Sequence, residues 1–504
     1  MRRKRVRDQK ARTAAEYGAP ADVGLHVGPT APYDPLPAAD AQRLIDTTFE
    51  LMRDVGVGFE PDPEVMSLFS EAGCSVSSEG LVKFDPKLVK QAIASVAKSV
   101  KLWNRSGSEF IEIDNRHTWF VSGMTAIQVL DLESGESRSS TRDDLVTITR
   151  VADALTNIDA VCMGCKNVER SDIFGEIDEF AALVENTSKP LEYLCENAAT
   201  LEVVIDMAAA VRGGRDALAE KPYFMQIVTP LPLYYAKAHT DQIITAVKAG
   251  IPVATGTVII AGASAPITMA GCLVHCLATD LAAVVLAQLV RRGAFCIGGS
   301  DACYMEPATG GRGGFPQLSL SDMAACQICR VLGIPSMTGV GGKARSRRFN
   351  QDAVFEITAN MTQTFHSRPA NCDYMGLMDE GMSYSLHALL YANELAGLNR
   401  RMWRGLRVDD DTLAMELTRQ EGPRGNYLAH PHTSKFCRTE VWDTHYFGAK
   451  QPLSTSVLPD LDLFERIDAD LREILADHQP EPLSESIRSE IASIQRSFAE
   501  SYRE

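Results

Sequence analysis

A closed (β/α)8 TIM barrel of the α/β class is predicted for this 504-residue chain, and three observations predict it. Short apolar segments recur at 160–165, 190–195, 223–228, 252–258, 294–300, 335–341 and 369–376, about 28 to 42 residues apart. The stretches between them (173–185, 199–211, 236–249, 269–292, 319–332, 351–366 and 383–396) carry helical periodicity. No GxGxxG opens a helix after the first strand, which weakens the open, dinucleotide-binding alternative. Strand–helix alternation calls for a parallel sheet, and seven units plus a first or last partner suit a closed barrel.

The flanking elements are read in chain order. Residues 1–35 are polar and rich in Gly, Pro and Ala, the composition of a poorly ordered leader. Helices are predicted over 37–57, 62–73 (capped by Asp62) and 86–99. Strand-like pieces follow at 100–107, 110–114, 118–123 and 126–135, the last ending in a hairpin around Glu133–Gly135. After 404 the chain returns to short helices at 409–420, 460–476 and 482–501. The division is a leader (1–35), an N-terminal α+β extension (36–150), the barrel core (151–400) and a C-terminal helical segment (401–504).

Composition bounds the partners. The formal charge is −16, yet the first twelve residues hold seven basic groups and one acid. Removing that +6 leaves −22 on the remaining chain, which argues against nucleic acid as the main partner. No uninterrupted apolar run of 18 residues occurs, so no membrane span is expected, and no apolar core follows the leading charges as in a secretory signal. Twelve cysteines set mostly among apolar residues fit reduced thiols and a cytoplasmic location. Cys162-x-x-Cys165 and Cys326-x-x-Cys329 have half the spacing of a zinc site; the second pair sits on an amphipathic helix, so packing rather than metal is expected.

In a barrel, functional groups stand at the C-terminal strand ends. Those positions are Glu196, Asn197, Thr229, Pro230, Gly256, Thr257, Gly298 to Asp301, Gly339, Gly341, Gly342 and Tyr374 to Gly376. Their glycines serve either tight turns or the close approach of a planar ligand. The segment GNYLAHPHT (425–433) adds two histidines flanking Pro431. Proline pushes His430 towards an extended conformation, in which His430 and His432 face one side.

Three segments carry a resemblance: VLDLESGESRSSTRDDL (129–145), GASAPITMAGCLVHCLATDLAAVVLAQLVRRGAFCIGGSDA (262–302) and GNYLAHPHTSKFCRTEVW (425–442). From about residue 37 to about 450 the chain resembles the trimethylamine methyltransferase superfamily, in its non-pyrrolysine branch that includes glycine betaine methyltransferases. The resemblance implies a TIM barrel that moves a methyl group from a methylated amine to cob(I)alamin, the cobalamin being carried by a separate corrinoid protein. The stretch comparable to the pyrrolysine loop is GGKARSRRFNQD (341–352), without pyrrolysine. A quaternary amine is therefore the implied substrate, since its positive nitrogen already makes a neutral leaving group.

Such a cation donates no hydrogen bonds and is held by aromatic faces and carboxylates. The expected lining is Tyr193, Phe224, Tyr304, Tyr374 and Trp119, with Glu306 nearby and Glu196 and Asp301 as the catalytic carboxylates. A betaine carboxylate would be met by Arg312, Lys343, Arg345, His430 or His432. Gly298, Gly299, Gly341 and Gly342 are expected to face the corrinoid, and the arginines of 345–348 an acidic corrinoid protein. Expected partners are thus the corrinoid protein and a small methylated amine, in a homo-oligomer. The alternatives are a non-catalytic betaine sensor or scaffold, and a different lyase or demethylase on the same barrel.

Overall fold

The computed structural model describes residues 31–504 apart from 309, 315, 339, 340, 443, 448–461 and 502–504. The leader up to residue 30, and Gly339, lie outside the described residues.

Eight parallel strands form one sheet: β1 (Trp119–Ser122), β2 (Ala160–Cys162), β3 (Leu191–Tyr193), β4 (Phe224–Val228), β5 (Val253–Thr255), β6 (Cys296–Gly298), β7 (Met337–Thr338) and β8 (Asn371–Met375). They neighbour one another in chain order, β8 pairs with β1, and a parallel bridge from Gly298 to Ser336 joins β6 to the start of β7. The sheet is therefore closed, and the (β/α)8 TIM barrel stands. Seven strands lie where the apolar segments predicted them. The eighth partner is the first, β1, inside the stretch assigned to the N-terminal extension. All four of its residues are buried, so it lacks the alternation that would have set it apart from the hairpin strands beside it.

A helix follows each strand: α1 (Arg142–Ala154), α2 (Ile173–Asn186), α3 (Ala198–Arg212), α4 (Lys237–Lys248), α5 (Met269–Val290), α6 (Gln317–Leu332), α7 (Gln351–Ser367) and α8 (Leu386–Trp403). Local chemistry starts several of them near the mouth. Thr141 and Asp144 form a capping box on α1, while Asp172, Asn197, Asn350 and Ser385 each accept a backbone N–H at the starts of α2, α3, α7 and α8.

The helix α5 is by length and composition apolar enough to cross a membrane, yet 78% of its apolar window is buried inside the protein. It is hydrophobic all round because both faces are covered. The barrel lies on one side; the N-terminal helices Ala38–Asp54 and Pro86–Ser95 lie on the other. The extension is also stitched to the barrel by Val57–Phe59, which pairs with Tyr234–Tyr235 beyond β4, where Phe59 stacks on Tyr235 at 5.2 Å. The helices Leu463–Asp477 and Glu485–Ser501 pack on α8 and α1 and on α3 and α2 respectively.

His430 is extended (φ −76°, ψ 143°) as expected before proline, but the extended segment stops there, because Pro431 opens a helix that takes in His432. Pro431 occupies the first turn of the helix Pro431–Glu440, where its missing N–H costs nothing. His430 is the cap, its Nδ1 accepting the His432 N–H at 3.1 Å. The two imidazoles therefore do not share one face.

Candidate functional site

A cavity of about 1080 Å³ opens at the C-terminal ends of the strands. Its polar lining falls into two walls.

The first wall comes from the loops after β2 and β3 and the start of α2. Lys166 reaches Glu196 at 3.2 Å and Glu179 at 3.9 Å. Glu196 is two-thirds exposed, whereas Glu179 is 2% exposed. The Oε1 of Glu179 accepts the Asn167 N–H at 2.6 Å; its Oε2 has no hydrogen-bond partner among the described residues. Burial pushes the Glu179 carboxyl up to about 7, against the lowering pull of Lys166. Burial raises Glu176 as well. It also works against the Lys166 charge, but Glu179, Glu196 and Glu176 outweigh it and hold the ammonium above its ordinary value. Arg170 and Asp172 line the same wall and pair with each other at 3.4 Å.

The second wall comes from the loops after β6, β7 and β8. Asp301 is 3% exposed and faces Lys343 at 3.8 Å. The Lys343 ammonium also lies 4.6 Å from the centre of the Tyr374 ring. Arg312 donates to the Cys303 Sγ at 3.1 Å and to the Glu380 carbonyl at 3.4 Å, and Arg345 pairs with the Glu380 carboxylate. The loop is fixed from α7, where Asn360 donates to the Lys343 carbonyl and Glu356 accepts the Arg345 N–H. Behind it, Asp280 of α5 accepts both the N–H and the hydroxyl of Ser300, pinning the turn that delivers Asp301. Burial pushes Asp280 up to about 7, a shift partly offset by Ser300.

Of the residues expected at the mouth, Glu196, Asp301, Tyr374 and Gly299 border the cavity, as do Arg312, Lys343 and Arg345. Tyr193 and Phe224 do not. Their strand neighbours Glu192 and Met225 pair in register, and the alternation that points those inwards turns Tyr193 and Phe224 outwards onto Phe180 of α2. Tyr193 donates its hydroxyl to the Glu176 carbonyl there. Trp119, also off the cavity, donates its indole N–H to the Glu112 carbonyl.

The Asp301-x-x-Tyr304-x-Glu306 cluster is split for the same reason. Asp301–Met305 is a strand of a small sheet above the barrel, between Val258–Ala261 and Arg312–Gly313. Asp301 and Tyr304 fall on opposite faces, and Tyr304 packs against a cluster that includes Ile259, Cys272 and Ala302. Glu306 shares the Tyr304 face and is not among the cavity-lining residues. Tyr374 is the exception: a bulge in β8 gives it φ +66°, which re-aims its ring at the mouth.

His430 and His432 also lie off the cavity. His432 Nε2 is 3.0 Å from the Asp411 carbonyl, and its ring packs on Phe436. The glycines are corrected as well. A Cβ at Gly298 would stand 2.6 Å from Asp280, at Gly299 2.8 Å from Met337, at Gly341 2.0 Å from the Asp373 carbonyl and at Gly342 2.7 Å from Met375. The protein itself fills the space beside each of these glycines, and of the four only Gly299 borders the cavity.

The residues missed by sequence reasoning are Lys166, Glu176, Glu179 and Phe174. Glu176 and Glu179 sit at i and i+3 on α2 and thus share a face. That spacing was the available signal, but it is equally that of a solvated helix.

A family model described as trimethylamine methyltransferase (MTTB) matches residues 2–500. The trimethylamine methyltransferase MttB of Desulfitobacterium hafniense (strain DCB-2) is 28% identical over 460 residues, spanning 90% of this chain and 92% of the relative. The glycine betaine methyltransferase of Desulfitobacterium hafniense (strain Y51) is 25% identical over 470 residues, 91% of this chain and 96% of the relative. Among solved structures, the monomethylamine methyltransferase MtmB of Methanosarcina barkeri covers 92% of each chain at 12% identity with a TM-score of 0.45, too loose a likeness to add to the fold read from the strands. The match over nearly the whole length decides the assignment: the chain belongs to the trimethylamine methyltransferase family and is a methyltransferase.

Proposed function

We propose that this protein transfers a methyl group from a small quaternary amine of the betaine type to cob(I)alamin held by a separate corrinoid protein. The observation that carries the reading is the cavity at the strand ends, whose first wall sets three glutamates around the single Lys166. Family membership and the glycine betaine relative point the same way.

Methyl transfer of this kind is an in-line displacement in which the amine leaves neutral, so the protein has mainly to position the cation and strip its water. Of the expected aromatic cage only Tyr374 borders the cavity, joined there by Phe174, and Lys343 already stands by the Tyr374 face. Recognition of the nitrogen therefore falls chiefly to carboxylates, while Lys343 and Arg312 on the second wall are placed to meet a substrate carboxylate. The methyl acceptor enters as a second substrate on its own carrier. Exposed apolar side chains at the mouth, Ile127, Leu231 and Val258, suit a partner that closes the opening. Twelve free thiols, eleven of them buried, fit a reducing cytoplasm.

The test is methylation of cob(I)alamin, followed by its visible absorbance, with the purified protein, a corrinoid protein and a panel of quaternary and tertiary amines. Methylcobalamin from a betaine supports the reading. Binding of a betaine with no methylcobalamin from any amine supports the non-catalytic sensor instead.

A further inference from the structure

The charges of the cavity do not balance evenly, and the imbalance is local. On the second wall Arg312, Lys343 and Arg345 face Asp301, Glu356 and Glu380, three against three. On the first, the Arg170–Asp172 pair cancels, leaving Lys166 alone against Glu176, Glu179 and Glu196. Glu196 already holds the nearer contact to Lys166, so the buried Glu179 Oε2 accepts no hydrogen bond among the described residues and has only the shared Lys166 ammonium at 3.9 Å. A buried ionised carboxylate that shares its one lysine with two other glutamates is costly, and a cation from outside lowers the cost.

We propose that Glu176, Glu179 and Glu196, arranged around Lys166, form the subsite that receives the cationic nitrogen of the substrate, with Glu179 supplying the charge that Lys166 leaves unbalanced. The assignment rests on the cationic substrate proposed above and adds the groups that select it. Each group facing Glu179 fits. Lys166 and the Asn167 N–H approach from the loop after β2, Glu176 from its own helix and Glu196 from the loop after β3. Cys165, Tyr193 and Cys195 complete the surroundings, and burial keeps all three in their neutral forms.

Proton linkage follows from this arrangement. With its carboxyl near 7, Glu179 is largely protonated at pH 6 and largely ionised at pH 8. A cation binds the ionised form, so its affinity rises with pH through this window and its binding releases a proton. Loss of the methyl group replaces the fixed positive charge with a tertiary amine, which is cationic only when it takes up a proton.

Tetramethylammonium is the probe, because it carries the cation and nothing else. Calorimetric titration of the full chain is expected to show affinity about tenfold weaker at pH 6 than at pH 8, with proton release that follows the ionisation heat of the buffer. Glu179→Gln retains an oxygen to accept the Asn167 N–H, and is expected to bind at least tenfold more weakly at pH 8 with a flat pH profile. Glu196→Gln, at an exposed position, should weaken binding several-fold and provides the reading if Glu179→Gln does not fold. Wild-type protein that fails to bind tetramethylammonium, or variants that bind it with wild-type affinity and pH dependence, would overturn the subsite. The outcome is separable from the methyl-transfer reading: methylcobalamin formation with Glu179→Gln undiminished defeats the subsite alone, while the expected binding without methylcobalamin defeats the transfer alone.

Discussion

The two walls of the mouth are built from the same residue types and differ in how their charges are closed. On the second wall each carboxylate has a cation or a backbone donor of its own, the Asp301 Oδ2 having Lys343 at 3.8 Å but no hydrogen bond among the described residues, and the loops are locked from α7 and α5. On the first wall a single lysine is shared among three glutamates, and it is the only partner of the buried Glu179 Oε2 among the described residues, at 3.9 Å. Paired charges hold a loop in place; a buried charge that shares its partner is worth keeping only where something else completes it. The second wall is accordingly read as framework with an anion contact, the first as the place where the ligand is felt. Changes on the second should be felt mainly as lost stability, and changes on the first as lost binding.

The largest effect is expected from Lys343→Met. It leaves Asp301 buried at the mouth without its cation, and removing one partner of such a pair costs roughly 3 kcal/mol. Thermal and denaturant melts should show that loss, and adding Asp301→Asn to the same chain should recover most of it. If Lys343→Met melts like the wild type while abolishing betaine binding, the division between framework and ligand wall is wrong.

A second test lies under both walls, inside the barrel. Glu192 of β3 accepts a hydrogen bond from Asn371 of β8, and neither carboxylate oxygen of Asp373 has a partner among the described residues. Burial pushes Glu192 up to about 7 against the hydrogen bond from Asn371, and burial with the neighbouring Glu192 raises Asp373 further. The sign is that of a raised acid: the contribution of Glu192 is fully present below its unfolded value near 4.3 and is lost as pH rises through about 7. Glu192→Gln keeps the acceptor and removes the proton, so near pH 8 it should be more stable than the wild type by roughly 2 kcal/mol, with little difference at pH 5. Melts at the two pH values check this, and equal offsets at both would show that Glu192 does not titrate there.

A smaller effect sharpens the comparison directly. Glu356→Gln on the second wall keeps the acceptor for the Arg345 N–H and should change tetramethylammonium affinity less than twofold, against at least tenfold for Glu179→Gln on the first. Equal losses from the two would mean that the cation senses the summed charge of the mouth rather than one wall.

The barrel was legible because strand and helix recur with their own periods over seven units; β1 was read as a strand at 118–123 but placed in the extension, because it is buried along its whole length beside a hairpin. The site was legible in part. Position at a strand end found Glu196, Asp301 and Tyr374, since topology brings those together, while Arg312 and Lys343 came from the search for a partner to a betaine carboxylate. Position failed for Tyr193 and Phe224, where one residue of register decides between barrel wall and outer face. It failed again for the glycines, since sequence does not say whether the space beside a glycine is taken by a ligand or by Asp280 and Met337. Glu179 was missed because its significance lies in sharing Lys166 with Glu196 across two loops, and that arrangement exists only once the chain has folded.

The smallest expected effect belongs to the segment that identifies the family most readily. In the helices Asp410–Leu413, Met415–Glu421 and Pro431–Glu440, His430 caps the third and His432 ties it back to Asp411, beside the Lys435–Asp411 pair. Neither imidazole borders the cavity. His432→Ala should leave tetramethylammonium affinity unchanged and cost no more than about 0.5 kcal/mol, the scale of an exposed contact. His430→Ala should cost about 1 kcal/mol, felt as fraying of Pro431–Glu440, because it deletes the cap. Hydrogen exchange of residues 431–436 would locate that fraying. If instead either change lowers methyl transfer with the cation affinity intact, this segment acts on the methyl acceptor, and the contrast between the two walls describes only half of the reaction.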